Sequence, residues 1–223
     1  MSRYRDKQDA VSKFNFKTLN AEQDDAWAAM LQHDITFLTG PAGSSKTFMA
    51  TAFAIDQILR KRPNEDGFEW IVMTRPTVDA GERLGFLPGN FEAKVSPYLQ
   101  PIVDTIDKLV EKNSKEMSII KASMRIRPLA YMRGLTFDNS VAILDEAQNV
   151  TREQMKLWLS RIGKGTKMIV CGDDSQTDLK ESCLIQTAQL LRGMKGFAHV
   201  RMSENAIVRH EIIKPMMDRL SKL

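Results

Sequence analysis

Residues 40–47 read Gly40-Pro41-Ala42-Gly43-Ser44-Ser45-Lys46-Thr47. A glycine-rich turn that opens into a helix aims backbone N–H groups and the positive helix end at an anion. Lys46 is placed to reach the β- and γ-phosphates of a nucleotide, and the Thr47 hydroxyl to bind Mg²⁺. The general pattern is G-x-x-x-x-G-K-[ST]; Gly40 holds its first position, but Ser45 stands where the second glycine belongs. The flanks supply the context the motif requires. Asp34–Thr39 alternates and is rich in β-formers, so it predicts a strand entering the loop. Phe48, Ala52, Ile55 and Leu59 then recur at helical spacing, Arg60, Lys61 and Arg62 suit the negative helix end, and Pro63 stops it.

A second motif corroborates the first. Val141-Ala-Ile-Leu-Asp145-Glu146-Ala-Gln-Asn149 is an apolar run ending in two acids. It predicts a buried parallel strand delivering carboxylates to the sheet's carboxyl edge, where ligands bind in open α/β sheets. Asp145 is placed in the Mg²⁺ shell, and Glu146 to orient or deprotonate a water attacking the γ-phosphate. A third run, Lys167 to Gln176, is another buried strand ending in Gly172 and polar residues. Gln176 either contacts the γ-phosphate or lies in a solvated Gly-Asp turn.

The chain has 223 residues and a net charge of +4, with a pI near 9.0. This length suits one domain, or one and a half, with a self-supporting core. No apolar run reaches membrane-helix length, and the N-terminus lacks the apolar segment of a signal peptide. Cys171 and Cys183 have no metal spacing, and Cys171 lies inside an apolar strand as a buried free thiol; a reducing cytoplasm fits. The modest positive charge is weak support for a nucleic-acid partner, because its distribution matters more than its total.

Residues 1–18 read as a polar N-terminal arm and 19–223 as the domain. Asn20 and Gln23 have the spacing of a capping box ahead of Ala26, Trp27, Met30 and Leu31. The alternative for Gln23 is that its amide reads adenine, as a Gln upstream of the cradle does in many helicase-like ATPases. Residues 70–74 predict a strand, and the Gly- and Pro-rich 75–89 a shaped loop where substrate is met. Val95, Leu99, Ile102, Val103, Ile106, Leu109 and Val110 form an amphipathic stripe, bent at Pro101. Residues 111–121 read as a charged lid or insertion. Arg125, Arg127 and Arg133 around Tyr131 suit either a single-stranded nucleic-acid track or a surface hairpin with scattered charge. Thr151 and Gln154 form a further capping box; Met155, Trp158, Leu159 and Ile162 face the core, and Gly163 ends that helix. A last strand over 198–202 and a terminal helix with Ile212, Ile213, Met216, Met217 and Leu220 close the chain, with Pro215 kinking that helix or delaying its start. No internal repeat is present.

Taken together, these residues make the chain resemble the PhoH-like family of P-loop ATPases, whose core is similar to the first motor domain of superfamily-1 helicases. The resemblance rests on the cradle, on Arg75-Pro76 through Gly85-Phe86-Leu87-Pro88-Gly89, and on Arg127 through Gly134. Ile143 through Asn149, Arg161-Ile162-Gly163, Gly172-Asp173 with Gln176 and Asp178, and Val208-Arg209-His210 complete it. It spans roughly residues 17–215. It implies an α/β fold: a single RecA-like P-loop NTPase domain with a mostly parallel sheet flanked by helices. It also implies an ATPase tied to RNA or single-stranded DNA. Some members carry an added nuclease or RNA-binding domain, and this chain is expected to carry neither. Arg209 matches the arginine of the family's Arg-His pair and the helicase arginine that reaches the γ-phosphate.

The expected activity is therefore Mg²⁺-dependent ATP hydrolysis by water. Lys46, Glu146, Gln176 and Arg209 are its catalytic candidates, and Thr47 and Asp145 its metal ligands. Gln23 and residues 40–47 hold the nucleotide. One motor domain lacks a second to supply an arginine finger, which can add about 10³–10⁵ in rate. A homo-oligomer, such as a ring, would supply it from Arg209, Arg161, Arg133 or Arg75. The competing readings are an ATP-switched nucleic-acid-binding or assembly module with negligible turnover, and a translocating helicase. Ser45 is expected to crowd the phosphate or shift the helix start, weakening or slowing nucleotide use while leaving Lys46 and Thr47 in place.

Overall fold

The computed structural model describes residues 14, 16–61, 67–76, 100, 102–173, 182–203, 216 and 219. Strand and helix alternate along them: α1 (Ala21–Gln32), β1 (Ile35–Thr39), α2 (Lys46–Arg60), β2 (Trp70–Thr74) and a helix over 102–109 (α3). α4 (Lys115–Ser123), β3 (Met124–Ile126), β4 (Ser140–Leu144), α5 (Arg152–Leu159), β5 (Lys167–Gly172), α6 (Leu184–Leu191) and β6 (Phe197–Arg201) follow. The strands form one six-stranded sheet in the order β3-β2-β4-β5-β1-β6. Every pairing is parallel. Strands of such a sheet are covered on both faces and must be apolar throughout; β4 is buried along its whole length.

One face packs Leu38, Met73, Ile143 and Cys171 against Met49, Phe53 and Ile55 of α2, with α1, α3 and α4 beside them. The other packs Phe37, Val72, Ala142 and Val170 against Met155 and Trp158 of α5 and Leu184 and Ala188 of α6. Because the strands are parallel, their carboxyl ends lie on one edge. Gly40, Arg75, Asp145 and Asp173 each follow a strand at that edge.

Several local expectations change. Residues 111–121 are not a lid: Ser114 caps α4 by accepting from the Met117 N–H at 3.0 Å, and Met117 and Ile120 are buried in the core. Residues 124–126 are not half of a hairpin but a parallel edge strand, with Ile71 opposite Met124 and Met73 opposite Ile126. In α3 the core stripe is Ile102 and Ile106; Val103 is exposed. Asn20 does cap α1, but the Gln23 amide oxygen accepts from the Leu19 N–H at 2.8 Å rather than from Asn20. The capping box of α5 is complete, yet that helix ends at Leu159. Ile162 is exposed, and Gly163 serves a different purpose from a cap. A Cβ there would strike the Phe137 carbonyl and the Asp138 carboxylate, which run alongside in a strand-like bridge between Phe137 and Ile162. Residues 77–99, Pro101, Arg62 and Pro63 lie outside the described residues, as does the terminal helix apart from Met216 and Arg219.

Packing reaches back into the N-terminal arm. Phe16 stacks on Trp27 with ring centroids 5.1 Å apart and leans on Phe48 of α2, and Phe14 joins the same core. Phe16→Ala is expected to lower the free energy of unfolding by about 1–3 kcal/mol, less than a fully buried Phe would. Denaturant unfolding monitored by circular dichroism measures it, and an unchanged midpoint would detach this segment from the domain.

Candidate active site

The cradle lies between β1 and α2, as the sequence required. Gly40 has φ +141°, and a Cβ on it would collide with the Met202 carbonyl oxygen at the end of β6. Only glycine fits there. The chain then turns through Gly43 (φ +87°) and Ser45 into the first residue of α2. Ser45 sits in the left-handed region, with φ 66° and ψ 17°, and makes no side-chain cap to the helix. α2 begins at Lys46, directly after Ser45. This left-handed conformation is one that glycine adopts freely and that costs a residue with a Cβ about 1–2 kcal/mol.

Lys46 is 8% exposed. Its ammonium donates to the Gly40 and Pro41 carbonyls at 2.7 and 2.8 Å and lies 3.3 Å from the Ser44 hydroxyl. Burial holds its pKa below the ordinary lysine value, with partial compensation from Cys171, Asp173, Glu146 and Asp145. The Ser44 hydroxyl donates back to Pro41 at 2.8 Å, so Pro41, Ala42, Gly43 and Ser44 form a closed turn around the ammonium.

The Thr47 hydroxyl donates to Asp145 Oδ1 at 2.6 Å, joining the first turn of α2 to the end of β4. Asp145 is buried, and burial raises its pKa while the Thr47 hydrogen bond lowers it. A hydroxyl and a desolvated carboxylate side by side are hard oxygen donors of the kind Mg²⁺ accepts, since that ion completes its shell with water and phosphate. This donor set fits the predicted metal ligands Thr47 and Asp145.

Glu146 directly follows Asp145 in the left-handed region (φ 54°, ψ 40°). Both of its carboxylate oxygens are engaged. Arg75, just past β2, donates from Nη2 to Oε1 at 2.7 Å, and its Nε lies 3.9 Å from Asp145. Gln148 donates from Nε2 to Oε2 at 2.6 Å. The Gln148 amide oxygen in turn accepts from the Asp173 N–H at 3.0 Å. Gly172, just before Asp173, packs closely here: a Cβ would lie 2.5 Å from a Leu184 methyl, which would have to shift, and 3.1 Å from the Gln148 oxygen.

The site thus unites residues 40–47, Asp145 and Glu146, and adds Arg75 and Gln148 in contacts the sequence reading did not assign. Gln148 stood within the Asp145 motif, but its bridge depends on the tight turn at Ala147–Asn149 and on Gly172 across the sheet. Gln23 is buried, with its amide oxygen spent on Leu19. Arg161 is spent within the chain on the carbonyls of Leu157 and Leu135 at 3.1 and 3.0 Å. Arg133 is exposed. Gln176 and Arg209 lie outside the described residues.

A protein-family model described as "PhoH-like protein" matches residues 15–221. A PhoH-like protein of Bacillus subtilis is 39% identical over 198 residues, covering 87% of this chain and 60% of the relative. A PhoH-like protein of Synechocystis is 39% identical over 193 residues, covering 85% and 57%. The chain therefore spans about three fifths of the length of these relatives. Among solved structures, the large terminase of thermophilic bacteriophage D6E in complex with ADP superposes with a TM-score of 0.54 at 10% identity, over 91% of this chain and 50% of that one. The architecture is that of a RecA-like P-loop domain. No helix among the described residues is long and apolar enough to cross a membrane.

Replacing Ser45 by Gly removes the left-handed cost but adds unfolded-state entropy. Ser45→Gly is expected to stabilise the fold by about 0.5–1 kcal/mol and to raise ATP affinity or turnover. Thermal unfolding and calorimetric ATP titration check this; no change in stability, affinity or rate would remove residue 45 from the account.

Proposed function

The chain belongs to the PhoH-like protein family, and on that footing we propose that it binds and hydrolyses ATP with Mg²⁺, coupled to single-stranded RNA or DNA. The observation that carries this reading is the Thr47–Asp145 contact of 2.6 Å, with Glu146 next in sequence. It joins the Thr47 hydroxyl, at the end of the glycine-rich loop, to the Asp145 carboxylate, which supports reading these residues as one site. Phosphoryl transfer needs positioning and charge neutralisation more than covalent chemistry.

In this reading Lys46 exchanges the Gly40 and Pro41 carbonyls for the nucleotide's β- and γ-phosphates. Thr47 and Asp145 hold Mg²⁺, which when bound neutralises phosphate charge. Glu146 takes a proton from the attacking water, so one of its oxygens must be released first. Gln148 is fixed through the Asp173 backbone, whereas Arg75 carries a long side chain that is 23% exposed. Arg75 is the partner that leaves. A polynucleotide phosphate offers its guanidinium a competing bidentate anion, which makes release of Glu146 conditional on nucleic acid. Gln176 senses the γ-phosphate, and Arg209 is the leading arginine finger, supplied across a subunit boundary in a homo-oligomer. The engagement of Arg161 within its own subunit ranks it below Arg209. Gln23 contributes to the adenine side.

The second reading, an ATP-switched binding module with negligible turnover, is favoured by one arrangement: both Glu146 oxygens are occupied. Steady-state phosphate release with and without single-stranded RNA separates the two. The ATPase reading expects stimulation by RNA or DNA. It also expects Arg75→Ala to raise the unstimulated rate roughly five- to tenfold while losing most of the stimulation. A fall in unstimulated rate would make Arg75 a catalytic cation instead, and no turnover under any condition would favour the switch.

A further inference from the structure

β3 is one of the sheet's two edge strands, and one face of that edge borders a cavity. Arg125 and the segment after it rise on the same face as Trp70 and Val72. The Arg125 guanidinium carbon lies 3.8 Å from the centroid of the Trp70 ring. Its Nη1 donates to the Ala122 and Met124 carbonyls at 2.9 and 2.8 Å. These contacts fix a charged plane against an aromatic one.

That plane borders a cavity of about 290 Å³ whose apolar wall includes Val72 and Phe137 and whose rim includes Arg127, Thr136 and Asp138. Arg127 begins just beyond β3, where its N–H donates to the Met73 carbonyl at 2.9 Å. Its side chain is exposed, without a partner among the described residues. Asp138 uses Oδ1 to accept from the Lys164 N–H at 2.8 Å, which fixes the carboxylate at the rim.

We propose that this cavity holds one nucleotide unit of a single strand, its base stacked on Arg125 and its phosphate on Arg127. The proposal rests on the nucleic-acid coupling proposed above. A base has a π-face that stacks on a guanidinium plane whatever its sequence. A preorganised plane loses little entropy on stacking. The cavity is at the small end of ligand clefts, which run roughly 300–1,000 Å³, and suits one base rather than a folded peptide. Asp138 and Thr136 offer an acceptor and a hydroxyl to base edge or sugar. Arg127 directly follows β3 and Arg75 directly follows the neighbouring β2, so the two arginines stand at the carboxyl ends of adjacent strands.

Fluorescence anisotropy with labelled single-stranded RNA and DNA oligonucleotides, and with a base-free sugar–phosphate oligomer of equal charge, tests it on the full chain. Arg125→Lys keeps the charge and removes the plane. It is expected to weaken binding of base-containing strands roughly tenfold and to leave the base-free oligomer unaffected. Arg127→Ala is expected to weaken all of them and to lower the salt slope by about one counterion. Both variants should bind ATP as the parent does, which checks their fold. If the parent binds single strands and both variants bind them equally well, the cavity assignment is wrong while the proposed function stands. If the parent binds no single strand in any nucleotide state, the nucleic-acid coupling fails and the cavity assignment with it.

Discussion

The Thr47–Asp145 hydrogen bond is the contact on which the site depends. It ties the first turn of α2 to the end of β4, although β5 lies between β4 and β1 in the sheet. A parallel sheet brings all these strand ends to one edge, but the carboxylate must still cross the width of β5. On the opposite face of β5, Gly172 lies close to Leu184 and to Gln148, the residue that holds Glu146. Asp145 is buried at the junction, and desolvation raises its pKa. A buried carboxylate needs compensation by hydrogen bonds or cations. Thr47 supplies the first and Arg75, at 3.9 Å, part of the second.

Two of the four non-glycine residues with positive φ among the described residues lie at this edge. Ser45 and Glu146 both have positive φ without being glycine, and each such residue costs of order 1–3 kcal/mol. Both positions stand beside fully packed strands: β1 is backed by Phe37 and Leu38, and β4 by Ile143 and Leu144. The rigid core over-determines the two turns. At Glu146 the conformation directs the carboxylate between Arg75 and Gln148, so the strain and the two-sided clamp belong to one arrangement.

The parts legible in the sequence were those written locally. The cradle, the Asp145 strand and the Thr151–Gln154 capping box each occupy one short window, and each fell where expected. The α/β class followed because apolar runs alternated with amphipathic ones. Contacts distant in sequence were not legible. Arg75 and Glu146 are 71 residues apart, and nothing near Arg75 indicates its partner. α4 was missed because Met117 and Ile120 are sparse among charged neighbours, although Ser114 is a cap signal. β3 is not legible in the sequence because an edge strand three residues long, with Arg125 on one face, carries little periodicity. Ser45 breaks the glycine pattern in composition, and its left-handed backbone, which the sequence does not display, is of the kind that favours glycine.

Single-turnover hydrolysis, with protein in excess over radiolabelled ATP and Mg²⁺, compares the parent with Glu146→Gln most directly. The account predicts that both bind ATP with similar affinity and that only the parent converts it to ADP and phosphate at an appreciable rate. Equal cleavage by the two proteins would contradict the role of Glu146, and bound but uncleaved ATP in the parent, with single strands present, would contradict hydrolysis itself.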